Sequence, residues 1–237
     1  MKAALIIIGN EILSGRTKDK NLAYLAEWLN EIGIQLYEVR VIRDDESEII
    51  DCVNLLREKY NYVFTTGGIG PTHDDITTES IAKAFNVKLE TNPEALRILK
   101  GYYKEGELNE ARLKMTLLPQ GAELVENPVT KAPGFKMENV FVMAGIPSIM
   151  QGMLEGARKF LEVGNKMSSK SIDVFMPESA VAGELSKIQD NYSNVEIGSY
   201  PFNKEGQFGT SLVMRSADLE ALDRCEDEIV KMVEKLA

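Results

Sequence analysis

Residues 4–8 read ALIII, an unbroken apolar run with no alternation of apolar and polar positions. A strand that is apolar at every position must have both faces covered. That is the pattern of a parallel sheet lying between two layers of helices. The following residues repeat the theme. NLAYLAEWLNEIG, from residue 21, places Leu22, Leu25, Ala26, Leu29 and Ile32 on one helical face, and Gly33 supplies the stop. QLYEVRVI then reads as a second strand. Asp44 or Asp45 can cap a helix whose apolar positions include Ile49, Ile50, Val53 and Leu56. YVFTT, from Tyr62, is a third strand, and a further helix begins near Thr77. Repeated strand–helix–strand units imply a doubly wound α/β fold with right-handed crossovers.

Further along, Asn92, Pro93 and Glu94 form a helix start, with Asn92 as the cap and the acid at the positive end of the helix dipole. Residues 101–115 are polar and hold one more helix. ENPVTKAPGF reads as loop and turn. NVFVM is a strand and IMQGMLEGARKFL a helix. Composition shifts after Leu161, where EVGNKMSSK reads as a linker. The expected organisation is an α/β domain over 1–166 and a small α+β domain over 167–237. The second contains a strand over 171–176, a helix over 177–189, strands over 195–200 and 208–215, and a helix over 217–236. A unit of roughly 65–70 residues sits near the lower end for independent stability and is expected to pack on the first domain or a partner.

Charge narrows the function. With 27 basic and 37 acidic residues the formal net charge is −10. Nonspecific nucleic-acid binding needs clustered Lys and Arg, and no such cluster occurs, so no nucleic-acid partner is expected. The cysteines, Cys52 and Cys225, lie far apart in helical patterns. They suit small buried apolar positions in a reducing compartment better than a disulfide or a zinc site. The N-terminal apolar run is too short to span a bilayer and lacks a signal peptide's cleavage pattern. A cytoplasmic protein without a membrane partner is expected.

The chemistry concentrates in TTGGIGPTHDDITTES, residues 65–80. Glycines 67, 68 and 70 follow a strand and precede a helix. That arrangement points backbone N–H groups out of the carboxyl edge of a parallel sheet, where oxyanions bind. The pattern is neither GxGxxG nor a P-loop, because it lacks the lysine. Asp74 and Asp75 admit two roles. One is helix capping, by Asp75 or by Thr77, with the other acid in solvent. The other is holding a hard divalent cation that bridges to substrate phosphates. Loops after the other strands open at the same edge: GNEILSG, RDDES and AGIPS. They bring Asn10, Glu11, Ser14, Asp44, Asp45 and Ser148 toward one pocket. His73, the single histidine, lies in a glycine–proline turn and is assigned no role. Trp28 is assigned to packing.

TTGGIGPTHDDIT resembles the signature of the molybdopterin-binding (MoaB/MogA-like) superfamily. Its GPT-x-DD-x-T form is similar to the CinA (competence/damage-inducible protein A) branch. GNEILSGRTKDKN, RDDESEI, PQGAELVENPVTKAPGF and AGIPSIMQGM resemble the same branch. VEIGSYPF is similar to its small KH-like α+β domain, which is related to a domain of eukaryotic FAD synthases. The resemblance covers nearly the whole chain. It implies a doubly wound, mostly parallel sheet and a homo-oligomer. It also implies a phosphorylated small-molecule substrate, with molybdopterin as a candidate ligand. The branch is associated with divalent-metal-dependent hydrolysis of the pyrophosphate in ADP-ribose or a similar nucleotide. Related enzymes adenylylate molybdopterin. Full-length members add a C-terminal deamidase domain with no counterpart in these 237 residues, so that activity is not expected. The KH-like tail lacks a basic GxxG loop, which again argues against nucleic acid.

Carried onto this sequence, the resemblance assigns phosphate binding to Gly67, Gly68 and Gly70, with Pro71 and Thr72 shaping the turn. It assigns catalytic acids to Asp75, with Asp74 adjacent, and to Asp44. Mg2+ or Co2+ would sit on Asp44 and Asp75. First-loop contacts fall on Gly9, Asn10, Glu11, Asp19 and Asn21, and further substrate contacts are expected from Thr77, Gly145, Pro147 and Ser148. The chain departs from the family in three places. The phrase resembling LPGVPSEM reads MAGIPSIM, so Ala144 replaces a proline and Ile149 an acid. The D-T-N position reads Asp19-Lys20-Asn21. The leading expectation is a metal-dependent nucleotide pyrophosphatase acting on ADP-ribose or an FAD-like dinucleotide. The alternatives are a non-catalytic molybdopterin or nucleotide binder and a molybdopterin adenylyltransferase.

Overall fold

In the computed structural model the apolar N-terminal run becomes β1 (Lys2–Ile8), buried at every position after Lys2. The structure describes residues 1–104, 106–204 and 206–236. α1 (Asn10–Leu13) and α2 (Asn21–Glu31) lead to β2 (Gln35–Ile42), α3 (Glu46–Lys59), β3 (Tyr62–Thr66) and α4 (Thr77–Ala84). β1 pairs in parallel with β2 on one side and β3 on the other. Its unbroken apolar run has a simple cause. Ala3, Leu5 and Ile7 enter a core against α2, while Ala4, Ile6 and Ile8 enter a second core against α3. Each face of the strand therefore loses its water to a different helix layer, at about 25 cal/mol per Å2 of apolar surface removed.

The next elements are β4 (Leu89–Thr91), α5 (Pro93–Tyr102), α6 (Glu110–Lys114), β5 (Leu117–Pro119), β6 (Glu123–Val125), β7 (Gly134–Met137), β8 (Val140–Met143) and α7 (Pro147–Ala157). The main sheet has strand order β2-β1-β3-β8-β7-β6. β8 is parallel to β3, but β7 and β6 join antiparallel. β4 and β5 form a separate antiparallel ribbon.

The structure corrects the expectation that ENPVTKAPGF is all loop, because Gly134 and Phe135 open β7. A Cβ at Gly134 would stand 2.5 Å from the Val142 carbonyl oxygen, so this glycine serves close strand approach and not a turn. Asn92 caps α5 as expected, accepting from the Glu94 and Ala95 amides. Leu22 lies exposed at 36%, off the buried stripe expected for α2. Trp28 takes a place in the core, and its indole N–H donates to Glu155 at 2.8 Å.

The chain divides into two compact units, Met1–Gly164 and Asn165–Ala237. The second contains β9 (Ser168–Val174), α8 (Glu178–Asn191), β10 (Glu196–Lys204), β11 (Gln207–Ser216) and α9 (Leu219–Leu236). Its antiparallel sheet runs β10-β11-β9. Val181, Leu185, Leu212, Met214 and Ile229 form its core. The Gln189 side chain ties the turn after α8, donating to the Tyr192 and Val195 carbonyls and accepting from the Ile197 amide. Cys52 and Cys225 are free and buried. Burial pushes the Cys225 thiol up to about 11 and raises Cys52 as well, so neither is a reactive thiolate at neutral pH. Among the described residues no helix is long and apolar enough to cross a membrane.

Candidate functional site

β3 ends in buried Thr65 and Thr66, and the chain then turns sharply through two glycines in the left-handed region. Gly67 has φ 107° and Gly68 φ 66°. A Cβ on Gly67 would stand 2.1 Å from the Ile8 carbonyl oxygen, and one on Gly68 2.2 Å from Thr77 Oγ1. Only glycine meets both conditions. At Gly70 a Cβ would stand 2.6 Å from Asp75 Oδ2, so the loop closes tightly around that carboxylate.

Hydrogen bonds fix the loop from several sides. The Thr77 amide donates to the Gly68 carbonyl at 3.0 Å and the Thr77 hydroxyl to the Gly67 carbonyl at 2.9 Å. Asp75 Oδ2 accepts from the Thr72 amide at 2.8 Å and from the Thr72 hydroxyl. Lys114, on α6, donates to the carbonyls of Thr72 (3.1 Å) and Asp75 (2.9 Å). One expected donor is lost, since the Gly67 amide faces the protein and donates to the Met143 carbonyl at 3.1 Å. The amides of Gly68, Ile69 and Gly70 have no hydrogen-bond acceptor among the described residues.

This loop forms one wall of an open cleft of about 680 Å3. Of the residues expected from sequence, Glu11, Asp44, Gly67, Gly68, Gly70, Pro71, Asp74, Asp75, Gly145 and Pro147 line it. Ala144 and Ile149, the two departures from the family phrase, line it too. The acids divide their work. Asp45 caps α3 by accepting the Glu48 amide at 3.0 Å. Asp44 is left to accept the Asn10 amide at 2.8 Å, tying the first loop to the second. Asp75 does not cap α4, whose N-cap residue, Ile76, gives no side-chain bond. The Thr72 hydroxyl, before other causes, holds the exposed Asp74 carboxyl below its ordinary value.

Seven expected contacts lie elsewhere. Thr77 is fully buried and supports the loop from beneath, so its substrate-binding assignment is corrected. Thr72 is turned to Asp75. Ser148 is exposed on the first turn of α7, outside the cleft lining. Gly9 is buried, its amide taken by the Ile42 carbonyl, and Asn10 contributes its backbone to Asp44. Asn21 is 4% exposed and donates to the Gly145 carbonyl at 2.8 Å. It lines a neighbouring cavity of about 60 Å3 together with Asp19 and Thr66.

Another part of the lining was not foreseen. It includes Tyr103, Arg112, Met115 and Pro133. Asn109 caps α6 by accepting the Arg112 amide, which fixes where Arg112 leaves the helix. That Asn was the available signal, but it predicts a helix start and says nothing of a cleft.

A divalent cation is compatible with this donor set. Among the described residues no three His, Cys, Asp or Glu side chains group closely enough to hold an ion by themselves. Asp44 and Asp75 each commit Oδ2 to the protein and leave Oδ1 without a protein donor among the described residues. Two such carboxylates, completed by phosphate oxygens and water, are the usual Mg2+ arrangement.

Comparison with known proteins gives three kinds of match. Residues 4–162 match the family model described as "Probable molybdopterin binding domain", and residues 166–237 match "FAD synthase, middle domain". A protein of Archaeoglobus fulgidus is 37% identical over 201 residues, covering 85% of this chain and 86% of its own. A "CinA-like protein" of Kosmotoga olearia is 34% identical over 247 residues. That match covers 100% of this chain and 60% of the relative. The crystal structure of the protein CinA with unknown function from Thermoplasma acidophilum is 34% identical, with a TM-score of 0.64. It covers 69% of this chain and 100% of that one.

Proposed function

The chain belongs to the CinA-like branch of the molybdopterin-binding-domain family, and from that premise we propose that it hydrolyses the pyrophosphate bond of a dinucleotide-like substrate such as ADP-ribose or FAD, with a divalent cation. One observation carries the reading: amides without protein acceptors among the described residues and three aspartates, Asp44, Asp74 and Asp75, meet in a single cleft.

The Gly68, Ile69 and Gly70 amides hold one phosphate, with no reorganisation because the loop is already locked by Thr77, Thr72 and Lys114. Asp44 and Asp75, steadied by the Asn10 amide and by Thr72, would hold the cation, which would supply charge neutralisation and Lewis acidity to the diphosphate. Asp74, exposed in the cleft, takes the proton shed as water attacks phosphorus. The new P–O bond forms as the bridging P–O bond breaks, leaving two monophosphates.

The test is turnover of ADP-ribose and FAD with Mg2+, with Co2+ and with EDTA, using Asp75→Asn as the control. Asn keeps an acceptor for Thr72 but removes the charge, so activity falls at least about 100-fold. Equal activity in variant and parent removes the proposed role of Asp75. Ile149 in the cleft favours a second reading, because the resemblance places an acid there: a binder without turnover. Tight nucleotide or pterin binding with no product under any metal selects that reading.

A further inference from the structure

The described lining of the cleft holds four carboxylates, Glu11, Asp44, Asp74 and Asp75, and a single basic side chain, Arg112. In so acidic a cleft an arginine is expected to pair with an acid. Arg112 does not do so among the described residues. One terminal nitrogen donates to the Glu107 backbone carbonyl, and the guanidinium lies over the Tyr103 ring, 4.2 Å from its centroid. The ring sits against the guanidinium and the carbonyl takes one terminal N–H. The remaining N–H donors lie in the plane, in the fork geometry that suits a phosphate. Lys114, two residues on along the same short helix, is bonded to the Thr72 and Asp75 carbonyls. α6 is thereby anchored to the glycine loop, and Arg112 keeps a fixed station relative to the Gly68–Gly70 amides.

We propose that Arg112, held flat by Tyr103, is the second anion contact of the cleft and selects a diphosphate over a monophosphate. This deepens the proposed function and rests on the glycine loop holding the first phosphate. A monophosphate fills the loop alone. A diphosphate reaches across to the guanidinium. Arg112 is a positioning and specificity residue in this scheme, and its charge also offsets part of the repulsion between phosphates and the four acids.

The experiment is calorimetric titration of ADP and AMP, with Mg2+, into the parent, Arg112→Gln, Arg112→Lys and Tyr103→Leu. The parent is expected to bind ADP at least about tenfold more tightly than AMP. Arg112→Gln weakens ADP by about ten- to a hundredfold, the range of a charge-assisted hydrogen bond, and AMP by less than about twofold. Arg112→Lys recovers part of the loss, since it keeps the charge but not the fork. Tyr103→Leu gives a smaller loss in the same direction.

Equal weakening of ADP and AMP, no weakening of either, or a parent that binds both alike overturns the proposal. Arg112→Lys folding normally guards against a trivial loss in the Gln variant. Hydrolysis assays on the same proteins separate the two readings. An Arg112-dependent ADP preference without ADP-ribose turnover keeps this inference and sinks the hydrolase. Turnover with KM and kcat unchanged in Arg112→Gln does the reverse.

Discussion

The two walls of the cleft are built by different means. The glycine-loop wall is backbone: two residues at positive φ, three amides without acceptors among the described residues, and hydrogen bonds from Thr77, Thr72 and Lys114. The other wall is side chain: Arg112 over the Tyr103 ring, with Met115 and Pro133 also in the lining. A backbone wall is rigid and intolerant, because each atom also belongs to the fold. A side-chain wall can be altered without disturbing what lies beneath it. The first is suited to holding a group common to many ligands, and the second to choosing among them.

Gly67→Ala tests the contrast most severely. The new Cβ would stand 2.1 Å from the Ile8 carbonyl oxygen, at a backbone φ of 107°. Neither atom can yield, since both are main chain at the edge of the central sheet. The expected loss is about 3 kcal/mol or more of unfolding free energy, with ligand binding abolished. Denaturant titration measures the first and calorimetry the second. If Gly67→Ala unfolds like the parent, the loop is not the rigid partner in the comparison.

Thr77→Val is the intermediate case. Valine matches threonine in shape but leaves the Gly67 carbonyl without its hydroxyl donor in a buried place. The expected cost is about 1–2 kcal/mol. Because Thr77 is buried beneath the loop and holds it, AMP and ADP affinities should fall together. A fall confined to ADP would show that the walls are mechanically coupled, and the division of labour would have to be redrawn.

The contrast also explains what could be read in the sequence. Backbone geometry leaves a compositional trace, and Gly67, Gly68 and Pro71 announce a turn wherever they occur. β1–β3 and the helices between them were legible because their apolar periodicity extends over many residues. β4, β5, β6 and β7 were not, because strands of three or four residues have too few positions for a period and these, unlike the all-apolar β8, mix apolar with polar, glycine or proline positions. Asp75 lines the cleft, and its alternative as a cap of α4 is excluded only by the loop's closure around it. The inward turn of the Gly67 amide could not be foreseen, since its acceptor, the Met143 carbonyl, comes from a strand far along the chain. The meeting of Tyr103 with Arg112 is a matter of loop path and side-chain placement, which no local pattern encodes.

Acid sensitivity gives the finest test, because it asks whether carboxylates serve the fold or the cleft. Glu38, on β2 and away from the cleft lining, accepts from Lys59 at 2.6 Å, Tyr60 at 2.7 Å and Arg40 at 2.8 Å. Lys59 first, then Tyr60 and Arg40, lower its pKa from 4.5 to about 2. A carboxyl depressed in the folded state binds protons more readily when unfolded. Its contribution to stability is therefore complete above pH 4.5 and is lost as pH falls toward 2. Solvent screening at this partly exposed site keeps that contribution to about 1 kcal/mol or less. Glu38→Gln should accordingly be less stable than the parent at pH 7, and the gap should close as pH falls through that window. Were Glu38→Gln to lose as much stability at pH 2 as at pH 7, Glu38 would serve the fold by its shape and not by its charge.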